Sequence, residues 1–445
     1  MMERYVAALE ISSSKIIGVV GRTQSAGQID ITAVEQEKCV ESVRYGIIQN
    51  LEETSMRVAR VLEKIERKPG IAPAKINSVF VGLSGRSLRS IPISVRLQLS
   101  DDTEITDEII NRLRDDALNS AIDSSLEIVD AVPRKYRIGK LETSSPKGVV
   151  GNEIQADYDI IVCRPEIKRN IMRVVQDKLG VDIEGFVVTP LATAHLILSA
   201  EEKRLGCMLV DIGAETTTVT IYRHGALNYF ATIPLGGRNI TRDLTSLSLL
   251  EERAEEIKMT SGNAIPPEVP STLNVYGVKR ADVANLVVAR SEEIVANIVE
   301  QLTYAEIKEK DLPGGIICIG GGSRLIGMTE LISRQLGGIP VRMGRLPAYV
   351  HLDDTKGPGS EIIEVASVLY AGATLTDASC LRAPGAEDLP VIGTAPDQEP
   401  DDTYERPERP ERPARKPNKF IGKLKSSISS LFSNPEEDED SGLLE

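Results

Sequence analysis

The chain is short of the residues from which several kinds of site are built. Its 445 residues include five cysteines (Cys39, Cys163, Cys207, Cys318, Cys380), widely spaced, odd in number and without a Cys-x-x-Cys pair. That pattern suggests neither a disulfide framework nor a zinc site; the thiols read as small core hydrophobes in a reducing cytosol. Only three histidines are present, His195, His224 and His351, so imidazole metal clusters are not expected and these residues read as structural or exposed. Positive charge is also scarce. Lys and Arg total 52 against 66 Asp and Glu, a net charge of −14 with a pI near 5.0, which argues against nucleic acid as the main partner. Long apolar runs are missing too: Val181 to Ala200 is interrupted by Asp182, Glu184 and Pro190, short of the roughly 20 apolar residues of a spanning helix. The opening Met1 to Glu10 carries Glu3 and Glu10 and lacks the apolar core of a secretory signal. Any membrane contact is therefore expected to be peripheral.

What is present suffices for real cores. Hydrophobic residues make up 41% and charged residues 27%, and at about 150 residues per domain there is room for two or three. Up to about Leu381 short β-rich runs alternate with helical periodicity, an α/β pattern. Strands are expected at Tyr5 to Leu9, Ile16 to Val20, Ile29 to Glu35, Val79 to Leu83, Cys207 to Ile212, Thr216 to Tyr222 and Ile316 to Ile319. Helices are expected at Leu51 to Glu66, with Met56, Val58, Val61, Leu62 and Ile65 on one stripe, and at Asp107 to Asn119, Pro165 to Leu179, Leu250 to Lys258, Asp282 to Lys308 and Met328 to Gln335.

Beyond Ala383 the composition changes. Three Glu-Arg-Pro triplets from Glu405 to Pro413 mark an extended linker that cannot build a core. After it, Phe420, Ile421, Leu424, Ile428, Leu431 and Phe432 fall on one helical stripe. Arg415, Lys416, Lys419, Lys423 and Lys425 surround that stripe, and Arg415 to Asn434 contains no acid. The segment could dock on its own core or in a partner groove. Lying in the headgroup plane of an anionic membrane suits its composition better.

Three turns carry the chemistry. Leu9-Glu10-Ile11-Ser12-Ser13-Ser14-Lys15 and Val210-Asp211-Ile212-Gly213-Ala214-Glu215-Thr216-Thr217-Thr218 each put a carboxylate at a strand end, then a tight turn, then a returning strand. Turn N–H groups can converge on phosphate oxygens, and such a carboxylate can hold a metal ion through water. Ile319-Gly320-Gly321-Gly322-Ser323 places glycines between a strand and a helix, where a nucleotide can come close to backbone. Each turn alone is weak evidence; their order and spacing strengthen one another.

With these turns the sequence resembles the actin-like ATPase superfamily and, within it, the FtsA family of bacterial cell-division proteins. Further stretches fit that family: Leu191-Ala192-Thr193-Ala194, Gly236-Gly237-Arg238-Asn239-Ile240-Thr241-Arg242-Asp243, Ala254-Glu255-Glu256-Ile257-Lys258, Val341-Arg342-Met343-Gly344, and the linker followed by a terminal amphipathic segment. The resemblance implies a two-lobed actin-like ATPase fold. The first lobe would comprise 1–84 and 165–204, with a subdomain for protein interaction and self-assembly inserted at 85–164. The second would comprise 205–243 and 311–381, with a partner-binding cap at 244–310. A disordered linker (382–414), a membrane-targeting helix (415–434) and an acidic tail (435–445) would follow.

It also implies ATP and Mg²⁺ between the lobes. Glu10, Ser13, Ser14, Lys15, Asp211, Gly213, Thr216, Thr217, Gly236, Gly237, Glu255, Lys258, Gly320, Gly321, Gly322 and Ser323 would surround them, with Glu10 and Asp211 on the ion through water. The implied partners are the C-terminal peptide of the tubulin-like division protein FtsZ, bordered by Lys279, Arg280 and Arg290, then further copies of the chain, later division proteins and the anionic membrane, through Lys419, Phe420, Ile421, Lys423, Leu424, Ile428, Leu431 and Phe432. The implied role is that of a polymerising adaptor at the division site, on the cytoplasmic face of the membrane, with slow ATP hydrolysis at most. Read from the residues alone, Glu255 with Lys258 is also a plain surface pair at i,i+3, and Arg290 a solvated helix charge.

An MreB-like filament protein and a small-molecule kinase are the alternatives. The kinase needs an Asp base beside an acceptor pocket, which the motifs do not offer, and a superfamily chaperone needs a folded substrate domain after the nucleotide unit. Departures from the family pattern fall at the phosphates. Glu10 stands where Asp is usual, and Ser12, Ala214 and Glu215 stand where Gly is usual. Ser12 is expected to restrict its turn. Glu215 is expected to set a negative charge near the terminal phosphate, at a cost on the order of several kcal/mol unless a cation offsets it.

Overall fold

The computed structural model describes residues 4–24, 27–39, 41–268, 273–275, 277–352 and 361–382. The linker, the amphipathic segment and the acidic tail read from the sequence lie outside these residues. Most expected elements form near their expected places, but the helix expected at 282–308 runs Arg280–Tyr304, and that at 165–179 divides into α-helix Glu166–Met172 and a wider π turn over Arg173–Lys178. Helix Leu51–Glu66 begins at Asn50, whose side chain accepts the Glu53 N–H, and buries Val58, Val61, Leu62 and Ile65. Met56 does not join that stripe. It is 49% exposed, because Thr54 and Ser55 take the inward positions of the first turns.

Two sheets carry the molecule. The first runs Asp182–Val188, Ser78–Leu83, Arg4–Ile11, Lys15–Thr23, Ile29–Lys38 and Val350–Leu352. Ser78–Leu83 is buried at every position, as a central strand with parallel neighbours on both sides must be. The second sheet has nine strands. Four of its strands come from the insertion and five from the second lobe, the latter being Ala226–Ile233, Thr217–Arg223, Cys207–Ile212, Ile316–Ile319 and Val341–Met343. The two groups meet edge to edge where Ala231 pairs with Arg89. Arg134 bridges the joint, holding Asp159 and donating to the Asn228 carbonyl.

The chain's last described segment belongs to the first lobe, not to the second as expected from the sequence. Val350–Leu352 pairs in parallel with Ile29, Asp30 and Ile31, and Leu381–Arg382 pairs with Lys75–Ile76. Helix Ile363–Leu375 between them is apolar on all sides and packs within the first-lobe core. The chain thus returns to the lobe where it began.

Candidate functional site

The two carboxylate-bearing hairpins lie in the two sheets, and both carboxylates enter the cleft. Glu10 and Asp211 are the penultimate residues of strands Arg4–Ile11 and Cys207–Ile212. A third carboxylate, Glu364, joins them from the first turn of helix Ile363–Leu375. Sequence reasoning missed it. Its signal was the one charged side chain in an otherwise uncharged helix.

Burial and this shared negative charge act together. Glu10 is pushed up to about 8 by burial and then by Glu364, with Lys15 opposing. Asp211 is pushed far above the usual carboxylate range by burial, Glu364 and Glu10. Glu364 is raised by burial against Lys15 and Arg324. Asp211 Oδ1 has no hydrogen-bond partner although it is shut off from solvent. Among the described residues, no three carboxylate, imidazole or thiol groups converge closely enough to ligate an ion directly. A hydrated divalent cation fits this donor set: it would neutralise the carboxylates and supply the orphaned oxygen with water protons.

The first turn closes on itself. Ser12 N–H and Oγ both donate to the Lys15 carbonyl, at 3.0 and 2.8 Å. Ser12 is not among the residues with positive φ, so the expected restriction from a missing glycine does not arise. Ser13 Oγ accepts from Gly46 N–H at 3.1 Å, and Lys15 Nζ donates to the Glu361 carbonyl at 2.7 Å. Ser14 is exposed at the tip.

The second turn closes through Gly213 N–H on the Thr216 carbonyl at 2.8 Å. Helix Gly237–Thr245 docks on it, with Gly237 and Arg238 N–H donating to the Gly213 and Ala214 carbonyls. A Cβ on Gly236 would lie 2.7 Å from both of those carbonyl oxygens, so only glycine allows the approach. Lys258 anchors the start of this helix: its Nζ donates to Gly237 O, Thr241 Oγ1 and, at 2.7 Å, Glu255 Oε2. Thr216 is half-buried beside the turn, whereas the buried Thr217 gives its hydroxyl to the Leu235 carbonyl at 2.8 Å.

The acid that the sequence set against the terminal phosphate is not free there. Glu215 is fully buried and turned toward arginines. Arg242 Nη2 lies 2.7 Å and Arg238 Nη1 3.3 Å from Oε1, and Tyr45 N–H donates to Oε2 at 2.8 Å. Arg44 Nε stands 2.8 Å from Oε1 as an ion pair without hydrogen-bond alignment. Burial alone would raise this carboxyl; the Tyr45 N–H and then Arg238, Arg44 and Arg242 bring it below the ordinary value. The cationic offset that the sequence reading made the condition for tolerating Glu215 is thus present, as three guanidinium groups beside one carboxylate.

At the third turn, Gly320 has φ +83°, and a Cβ there would lie 2.4 Å from Asp211 Oδ1. A Cβ on Gly322 would strike Ile212, whereas Gly321 faces open space. Glycine at two of these three positions thus serves the fit of strand to turn, and only Gly321 leaves room for a ligand. Ser323 is buried and gives its hydroxyl to the Ile319 carbonyl.

Away from the cleft, helix Arg280–Tyr304 buries Ile294, Ile298 and Leu302 and half-buries Leu286. Lys279 and Arg280 are exposed at its start. Arg290 is not a solvated charge, since it holds both oxygens of Asp243 at 2.6 and 3.0 Å and pairs with Glu293.

Comparison with known proteins agrees with this architecture. The family profile described as cell division protein FtsA matches residues 208–358, and that of the SHS2 domain inserted in FtsA matches residues 85–162. The cell division protein FtsA of Porphyromonas gingivalis is 30% identical over 359 residues, covering 78% of this chain and 74% of that protein. That of Pseudomonas aeruginosa is 27% identical, covering 77% and 83% respectively. Among solved structures, the PilM-PilN type IV pilus biogenesis complex superposes with a TM-score of 0.60 at 18% identity, covering 82% of this chain and 98% of that one. This last likeness is one of fold alone. Taken with the cleft, the inserted sheet and the shared sequence, these matches place the chain in the FtsA family of cell division proteins.

Proposed function

We propose that this chain binds ATP with Mg²⁺ between its lobes, polymerises, and ties the FtsZ ring to the cytoplasmic face of the cell membrane at the division site. The observation that carries the nucleotide reading is the set of mutually repelling carboxylates beside two phosphate-type turns, Glu10 buried and Asp211 and Glu364 half-buried. Without a cation these groups oppose one another; with Mg²⁺ and its waters they become favourable partners. The bound ion would supply charge neutralisation at the phosphates. Glu10 and Asp211 would hold its waters, Lys15 and the turn N–H groups would receive phosphate oxygens, and Gly321 would leave space toward the nucleoside. Hydrolysis is expected to be slow, since the cleft acids Glu10 and Asp211 would be committed to the ion's waters rather than to an attacking water. Calorimetry with Mg²⁺-ATP tests this reading directly: saturable binding supports it, and no heat up to millimolar nucleotide overturns it.

The adaptor role rests on family membership and on the sequence beyond the fold. Lys279 and Arg280 offer exposed cations for an acidic peptide of FtsZ. Arg290 would act there through Asp243 rather than as a free charge. The segment 415–434 would lie in the headgroup plane, with Lys419 and Lys423 on anionic lipid and Phe420, Ile421, Leu424, Ile428, Leu431 and Phe432 in the acyl boundary. One such helix holds a membrane reversibly, and a polymer joins many into firm attachment. Co-sedimentation with anionic vesicles should be lost on truncation before Lys416; equal sedimentation of the truncated chain would remove the segment as anchor.

A further inference from the structure

Strands Val43–Arg44 and Ile47–Ile48 form a small hairpin with Tyr45 and Gly46 at its tip. Both tip residues have positive φ, +52° and +76°, as the tightest hairpin turns require. Such a conformation is unfavourable for tyrosine and persists only where neighbours fix it. Here the neighbours come from three parts of the molecule. Gly46 N–H donates to Ser13 Oγ in the first phosphate turn. Arg86 N–H, at the root of the insertion, donates to the Tyr45 carbonyl at 3.1 Å, and a Cβ on Gly46 would lie 2.5 Å from Gly85 Cα. From the opposite lobe, Glu215 takes the Tyr45 N–H and faces Arg44.

We infer that Glu215 is a latch between the lobes, holding the Tyr45 hairpin so that the cleft stays closed and nucleotide leaves slowly. The inference rests on the cleft being a nucleotide site. Arg238 and Arg242 belong to the same lobe as Glu215 and aim its carboxylate across the cleft. Opening the lobes would strip it of Tyr45 N–H and Arg44 together, leaving a buried carboxylate and a backbone donor less well satisfied. Closure is therefore the satisfied state even before nucleotide arrives. Because the same tip also holds Ser13 and Arg86, a shift of either phosphate turn reaches the insertion through one hairpin. Glycine at position 215 would have no such reach.

The test uses the full chain in four forms: unaltered, Glu215→Gln, Arg44→Ala and the double variant. Dissociation of a fluorescent ATP analogue is followed by stopped flow with Mg²⁺, and hydrogen exchange of residues 41–50 is measured without nucleotide. Each single change should speed dissociation roughly tenfold, and the double change should add little more, as for two ends of one contact. Exchange across 43–48 should rise in the same variants. Arg44→Ala guards against a folding failure, because it leaves Glu215 its other three partners. If Arg44→Ala leaves both dissociation and hairpin exchange unaltered, the latch is overturned. If the unaltered chain binds no nucleotide, the nucleotide reading fails by itself, and exchange then decides the latch: raised exchange keeps the interlobe contact, unaltered exchange removes it.

Discussion

In the first phosphate turn Ser12 closes the loop with its own N–H and hydroxyl, whereas in the second the backbone does the closing and Glu215 is left to reach the other lobe. The two turns share a strand–turn–strand plan, and both depart from the glycine expected in the family. One departure is absorbed locally; the other changes what the turn holds. Their acids diverge in the same way. Glu10 lies among other carboxylates and is pushed up to about 8, while Glu215 lies among guanidinium groups and is held below its ordinary value. An acid's role here is set by its neighbours, not by its place in a motif.

The largest expected effect separates the two kinds of acid. Asp211→Ala should weaken Mg²⁺-ATP binding at least about 100-fold, or about 2.7 kcal/mol, because it removes an acid from the cation site. Glu215→Gln should weaken equilibrium affinity by about tenfold at most, through faster release, since its partners are protein groups. Calorimetry on both variants checks this, and equal losses would erase the distinction between the turns.

The next effect concerns pH in the absence of nucleotide and divalent cation. Glu10 has a folded value above its unfolded one, so the fold binds the extra proton, and its contribution is present below pH 4.5 and lost as pH rises toward 8. Glu10→Gln should therefore be more stable than the unaltered chain at pH 8, by about 1–3 kcal/mol, and nearly equal to it at pH 5. Chemical denaturation at the two pH values measures the difference, and a pH-independent difference would contradict the shift. Glu215 has the opposite sign: its contribution is present above pH 4.5 and fades in more acid solution.

Smaller effects sharpen the local contrast. Thr217→Val keeps the shape but leaves the Leu235 carbonyl without its hydroxyl donor, and should cost about 1–2 kcal/mol in urea unfolding. An unaltered midpoint would show that the hydroxyl is not committed to the scaffold. Ser12→Gly should destabilise by about 1 kcal/mol, through a lost hydrogen bond and a freer unfolded chain. If Ser12→Gly instead stabilises the fold, serine does strain the turn.

Much of the fold could be read in advance because it depends on neighbours close in sequence. The 3.6-residue stripe of Leu51–Glu66, the β-rich runs Cys207–Ile212 and Ile316–Ile319, and the glycine-marked turns carry their signals within a few residues. The long insertion strands Arg89–Glu104 and Val150–Cys163 escaped that reading, as did helix Ile363–Leu375, which is apolar on every side and shows no period. The positions of Glu10 and Asp211 at strand ends were legible for the same local reason.

The sequence by itself determined that two carboxylate hairpins and a glycine turn exist, in that order, on an α/β framework. Tertiary structure alone decided what they do to one another. Glu215 meets Tyr45 across 170 positions of chain, and no local pattern encodes the three arginines that neutralise it. Glu364 joins the cleft because residues 350–352 and 361–382 belong to the first lobe, through strand pairing with Ile29–Ile31 and with Lys75–Ile76. Electrostatic character depends on distance in space, while a motif records only distance along the chain. Charge pairing, carboxylate shifts and lobe membership therefore became definite only when the two sheets faced each other.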